Sequence, residues 1–369
     1  MRTQALYIED RKLWEDVGPV VAKINVNLPI SAIDVVIQAT NGATMNQGNP
    51  LRTDVDRVEL MNGSDRLHSL SLVQGIIQHA HEKGRYPAHM LNEGAAAVQQ
   101  EGYRISFGRY LGDPEYWLDP TAFSNLQYRL TGDLTISATA GFATGTRYLT
   151  LIAHVMTDSP LAHSGFFMTK EMNQWTTVAS GDRRTDLPDD FPWRMLGFRA
   201  AETGTPFDTD ITNLKLTQGK DSFVTFDLRA VSLRDIMEEI HGETEITQTV
   251  FRTDADTPSC GLAYPRTFSV DALNDLDIAS VDARTVDQLT IQLLSLTAVP
   301  AIAKSGTDQN IVMNARGVMP YFGLVWPFGD KDDADQWLRG DAIRSQELVA
   351  TQGGAGAAAS TWLQQVRGV

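Results

Sequence analysis

The sequence predicts an all-β chain: two tandem jelly-roll β-sandwiches, each with a short helix. Three observations lead there. Apolar residues recur mostly at period two, in short runs closed by Gly, Pro or Asn-Gly pairs. Helical periodicity surfaces only twice. The order of elements in the first half returns in the second at a spacing the size of a domain. With 369 residues and 42% hydrophobic side chains, the chain can fill two ordinary cores.

Val20 to Asn27 alternates loosely, and Ile33 to Ala39 reads Ile-Asp-Val-Val-Ile-Gln-Ala, a strand pattern. Arg57 to Met61 alternates and stops at Asn62-Gly63, a hairpin pair. The period then changes. Leu70, Val73, Ile76, Ile77 and Ala80 share one helical face, and Gly84 stands where a left-handed cap ends a helix. Strands return at Tyr103 to Phe107, Leu126 to Leu130, Leu134 to Ala138 and Tyr148 to Met156. The last is apolar nearly throughout, as expected of a strand buried on both faces. From Thr157 to Pro192, Gly and Pro break the pattern, which reads as a long connector with a hairpin near Trp175 to Val178. Beyond it, strands are expected at Trp193 to Arg199, Asn213 to Leu216 and Phe223 to Phe226. A helix over Ser232 to Ile240 follows, capped by Ser232 and stopped at His241-Gly242. Further strands fall at Gln248 to Arg252, Arg266 to Val270, Leu289 to Leu296, Asn310 to Asn314 and Tyr321 to Trp326.

Aligning the halves gives nearly constant shifts. Gly219 answers Gly63 at 156 residues, Leu233 answers Leu72 at 161, Phe268 answers Phe107 at 161 and Leu289 answers Leu126 at 163. This argues for duplication of one domain, since the unit is too long for a solenoid repeat. The division expected is an N-terminal arm over 1–17, a first jelly roll with its connecting loop over 18–192, a second over 193–341 and a flexible C-terminal arm over 342–369. Gly353-Gly354-Ala355-Gly356-Ala357-Ala358-Ala359 motivates that last arm, having no side chains to build a core.

Composition narrows the function. A formal net charge of -15 repels phosphate backbones, so direct nucleic-acid binding is not expected. The single cysteine, Cys260, excludes an internal disulfide and reads as a small loop residue. The first residues lack the apolar core of a signal peptide, and no run has bilayer-spanning length, which points to folding in an aqueous compartment. No nucleophile elbow, zinc-protease helix or dinucleotide fingerprint occurs, so neither catalytic nor cofactor-binding residues are assigned. Asp330, Asp332, Asp333 and Asp335 are the weak candidates for a cation site. The Gly and closing Glu of an EF-hand are misplaced there, so no metal is assigned. His79 and His81 sit one residue apart on the first helix, where side chains diverge; with His89 they read as solvated. Trp117, Trp175, Trp193 and Trp326 could line a sugar site, although Trp is more often core. Arg339-Gly340-Asp341 is a short adhesive tripeptide of the kind chance produces.

One stretch carries a resemblance. Ile105-Ser106-Phe107-Gly108-Arg109-Tyr110-Leu111-Gly112-Asp113-Pro114-Glu115-Tyr116-Trp117-Leu118-Asp119-Pro120 joins a Phe-Gly turn to an acidic Pro loop. It runs on through Phe123 and Asn125-Leu126 into a strand. With the preceding strand, Asn62-Gly63 turn and helix, it resembles the double jelly-roll major capsid proteins of tailless icosahedral viruses and bacteriophages. The local motif spans Arg57 to Met156, and the architecture residues 18 to 330. The second half departs from it, with Phe268-Ser269 in place of the Phe-Gly pair. The resemblance implies a homotrimer, pseudo-hexameric in outline, that tiles an icosahedral shell in the virion after assembly in the host cytoplasm. It implies neighbouring capsomers, penton and minor capsid proteins and an internal membrane as partners. A carbohydrate-binding or carbohydrate-active sandwich, or a trimeric receptor-binding spike, is the competing expectation.

Overall fold

The computed structural model describes residues 2–14, 18–44, 46, 50–132, 141–158, 163–202, 204–219, 221–252, 259–272, 276–285, 288–295, 309–339 and 345–368. The strand expected at Leu134 to Ala138 lies outside them, as do Gly340 and Asp341 of the adhesive tripeptide.

In chain order the first sandwich comprises β1 (Thr3–Leu13), β2 (Val20–Lys23), β3 (Ile30–Thr40), the one-turn helix α1 (Leu51–Asp54), β4 (Arg57–Asn62) and β5 (Asp65–Leu70). The helix α2 (Leu72–Lys83) and strands β6 (Val98–Ser106), β7 (Leu126–Thr131) and β8 (Tyr148–Met156) complete it. The second comprises β9 (Phe166–Thr176), β10 (Gly181–Leu187), β11 (Trp193–Ala201), the one-turn helix α3 (Phe207–Asp210), β12 (Ile211–Gln218) and β13 (Phe223–Arg229). The helix α4 (Ala230–His241) follows. Then come five strands, β14 (Thr244–Arg252), β15 (Leu262–Ala272), β16 (Leu276–Thr285), β17 (Gln288–Ser295) and β18 (Gln309–Pro320). These five stand outside the sandwich, as a β14-β18-β15 sheet and a β16-β17 hairpin. β19 (Gly323–Pro327), β20 (Gln346–Gln352) and β21 (Ala358–Arg367) close the second unit.

Strand order reveals the duplication. The first unit pairs as β1-β8-β3-β6 and β2-β7-β4-β5, the second as β9-β21-β11-β19 and β10-β20-β12-β13. Counting each unit's eight sandwich strands in chain order gives the same two orders, the two four-stranded sheets of a jelly roll. A twelve-residue helix follows the fifth strand in both units.

This frame corrects four expectations. The N-terminal arm is strand β1, paired along β8 from Thr3 to Leu13. The connector over 157–192 contains β9 and β10, the first two strands of the second sandwich. The C-terminal arm is not flexible: β20 lies between β10 and β12, and β21 between β9 and β11. The glycines of 353–356 form only the turn that joins them. Finally, the shifts at Gly219 and Leu233 link true counterparts, whereas those at Phe268 and Leu289 do not. Phe268 and Leu289 belong to the extra strands β15 and β17, and the counterparts of β6 and β7 are β19 and β20. An insertion of extended chain mimics the lost strands because both obey the same period-two pattern.

Local details follow from sequence. Ser71 and Gln74 form a reciprocal capping box on α2, and Gly84 takes the left-handed conformation at φ 64°. α4 starts earlier than expected, at Ala230, and neither Ser232 nor any other side chain caps it, because β13 runs straight into it. β8 alternates instead of being buried on both faces. Leu149, Leu151, Ala153 and Val155 enter the core while Tyr148, Thr150, Ile152 and His154 are half-exposed.

Candidate functional site

The two sandwiches meet along a junction that no local motif announces. β5 and β9 run parallel there and bridge at His68 with Thr169 and Ser69 with Lys170, merging half of each unit into one eight-stranded sheet. The helix α2 of the first unit covers this seam. Its Gly75 lets Tyr103 of β6 approach, since a Cβ there would stand 2.2 Å from the ring. On the other side Ile77 lies so close to Gly323 of β19 that a Cβ would meet it at 2.5 Å. Ile76, Ile77, Met195, Val325 and Trp362 belong to one continuous apolar cluster, so no solvent layer separates the units.

Inside the seam lies a buried polar network. Glu82, near the end of α2, faces Arg194 of β11 at 3.1 Å, with both side chains under 5% exposed. The same Glu82 oxygen accepts from Gln78 at 3.0 Å and from Gln364 of β21 at 2.8 Å. Gln78 in turn accepts from the indole of Trp362 at 2.9 Å. Arg194 also donates to the Lys331 carbonyl at 2.8 Å and stacks over Phe167 at 4.5 Å. Burial by itself would raise the Glu82 carboxyl, but Arg194, Lys83 and the amide donors outweigh it and hold it well below the usual carboxylate range. Further pairs cross the seam: Arg57 with Glu171 at 2.7 Å, and Arg367 with Asp65 at 2.5 Å.

At one end of the seam two sequence features come together. The Phe-Gly and acidic Pro loop is pinned by fully buried Asp113, which accepts from the backbone and guanidinium of Arg109. Arg109 then reaches the Asp332 carbonyl at 3.3 Å. Tyr116 packs with Phe167 and Trp337 at centroid distances of 5.4 to 5.6 Å. The acidic candidates serve this loop. Asp330 accepts from the Asp332 N–H, Asp333 from the Asp335 N–H and Gln336, and Asp332 lies 3.8 Å from Arg194. Those carboxylates cap turns and face an arginine, and no cluster of three or more metal-ligating side chains occurs among the described residues.

The remaining candidates are dispersed. Contrary to expectation, His79 and His81 are buried. His79 accepts from the Arg104 N–H, and His81 lies edge-on to His241 of α4 at 4.7 Å. Burial, and for His81 also His241, pulls their imidazoles down, to about 4 and about 3. His89 turns instead to the carbonyls of Pro87 and Thr247. The tryptophans do not share a cleft: Trp117 stacks on His163, Trp175 packs on Phe198, Trp193 on Phe328 and Trp326 on Phe226. Cys260 is fully buried in the core. Sequence reading missed Glu82, Arg194 and Gln364. Their only signal is a charged residue in an otherwise apolar segment, as Arg194 is beside Trp193 and Met195.

No protein-family model and no curated protein matches the chain. Solved structures do. The major capsid protein of STIV, Sulfolobus Turreted Icosahedral Virus, superposes with a TM-score of 0.62 at 10% identity, covering 99% of this chain and 97% of that one. The fold is the double jelly roll. The major capsid protein of bacteriophage PM2 follows at 0.53 and 10% identity, covering 99% and 98%. The PBCV-1 virus capsid gives 0.51 at 10% identity, covering 99% and 93%. Identity this low carries the fold alone, and it spans both sandwiches from end to end.

Proposed function

We propose that the chain is the major capsid protein of a virus, a structural protein without catalytic activity. One observation carries this reading: two sandwiches of identical strand order are locked rigidly to each other. A free tandem pair would need only a linker. A shell tile needs both sandwiches at a fixed distance and angle, because three doubled chains then approximate a hexagon of six similar units. The buried Glu82–Arg194 network and the shared sheet supply that rigidity. The superposition with capsid proteins over nearly their whole length supports the same reading. The net charge of -15 suits a shell that does not coat the genome.

In this reading the units divide between β8 and β9, and the strands β14 to β18 are an insertion in the second. Neighbouring capsomers, penton and minor capsid proteins and an internal membrane are the partners, and the virion shell is the location. Light scattering coupled to size exclusion, followed by electron microscopy, tests it. Three-chain particles with pseudo-hexagonal outline are expected. A monomer that binds glycans in a cleft would overturn the proposal.

A further inference from the structure

A second feature lies away from the seam, where the end of β11 and α3 meet the β20–β21 turn. Asp210, the last residue of α3, is completely buried, and neither carboxylate oxygen has a hydrogen-bond partner. Burying such a group without compensation is costly. The Asp210 Oδ1 faces a glycine-rich turn. A Cβ on Gly354 would stand 2.5 Å from Asp210 Oδ1, and one on Gly353 would stand 2.8 Å from the Thr209 carbonyl. A Cβ on Gly356 would come 3.1 Å from Glu202 Oε1. The three glycines therefore admit two carboxylates against one short piece of backbone, which is held in place by the Gly353 N–H on the Asp210 carbonyl at 3.0 Å.

We propose that Asp210 and Glu202 bind a hard divalent cation, of the calcium class, in the cradle formed by this glycine turn. The donors that face it are all oxygen, which suits calcium or magnesium and not the softer metals. The Glu202 side chain makes no hydrogen bond or ion pair among the described residues and is half-buried, so its carboxylate is free to complete the site. Glu202 also lines a cavity of about 340 Å³, so its carboxylate is reached from solvent. Left without a cation, the two acids repel: burial, then the charge on Glu202, pushes the Asp210 carboxyl up to about 6. The bound ion would tie the C-terminal strands β20 and β21 to the edge of β11.

Isothermal titration of the whole chain with calcium chloride, then with magnesium chloride, is the test, alongside melting curves with and without EDTA. The expected result is one site per chain and a melting temperature raised by calcium. Glu202→Gln, at a half-buried position that tolerates an amide, should weaken binding by at least about tenfold. Asp210→Asn should abolish it. Absence of binding to wild type up to about 10 mM of either cation would overturn the proposal, that being about tenfold beyond the weak end of known calcium sites. Unchanged binding by Glu202→Gln would overturn it too. So would calcium binding that persists unchanged in Asp210→Asn.

Discussion

Replacing Glu82 by Gln tests the seam most directly. The substitution keeps the shape of the side chain and removes its charge. Arg194 is 2% exposed and would lose its buried counter-ion. Breaking one partner of a buried pair costs about 3–5 kcal/mol, because the other charge stays behind uncompensated. Arg194 keeps the Lys331 carbonyl and the Gln364 amide oxygen, so the low end, about 3 kcal/mol, applies. With unfolding entropy near 2.1 cal/mol/K per residue over 369 residues, the melting temperature should fall by about 4 °C. Calorimetry and urea titration measure it. The double variant Glu82→Leu with Arg194→Met should lose less than the two single variants summed, since neither charge is then stranded. Additive losses, or a Glu82→Gln cost below about 1 kcal/mol, would refute the reasoning that this pair holds the units together.

Three other outcomes are expected. Burial holds the imidazoles of His68, His79 and His81 at about 3, 4 and 3, against 6.5 when free. Native stability should therefore be full above 6.5 and fall as acid protonates the unfolded chain first, by about 2 kcal/mol per histidine at pH 5. Urea midpoints that stay flat across that range would contradict it. A Cβ on Gly197 would lie 1.9 Å from the ring of fully buried Trp362, so Gly197→Ala should cost about 1–3 kcal/mol and change the near-ultraviolet dichroism of the indole. Deleting residues 358–367 removes β21 from between β9 and β11, and should yield insoluble or protease-sensitive chain where loss of a tail would leave it folded.

Much of the fold was legible in the pattern of side chains. Strands β4 and β7 alternate plainly, β8 and β11 stand out as apolar runs, and helix α2 shows its apolar face and its Gly84 cap. Strand β1 hid because it is an edge strand, mostly exposed, with charged residues such as Glu9, Asp10 and Lys12 along it. β21 hid because it begins in alanine just after a glycine turn and owes its place to the strands on either side. Of the seam, sequence showed the acidic Pro loop and the aspartates of 330–335 but not that Arg109 and Tyr116 join them to each other.

The sequence by itself determined that the chain is all-β, that it repeats a jelly roll with one helix per unit, and roughly where most strands lie. These are local matters, written in side-chain period and turn residues. Only the tertiary structure decided which strands are true counterparts, that both termini are woven into the sheets, and that Glu82 meets Arg194 across the seam. Those depend on contacts between residues more than a hundred positions apart, and the period of a sequence holds no record of its partner in space.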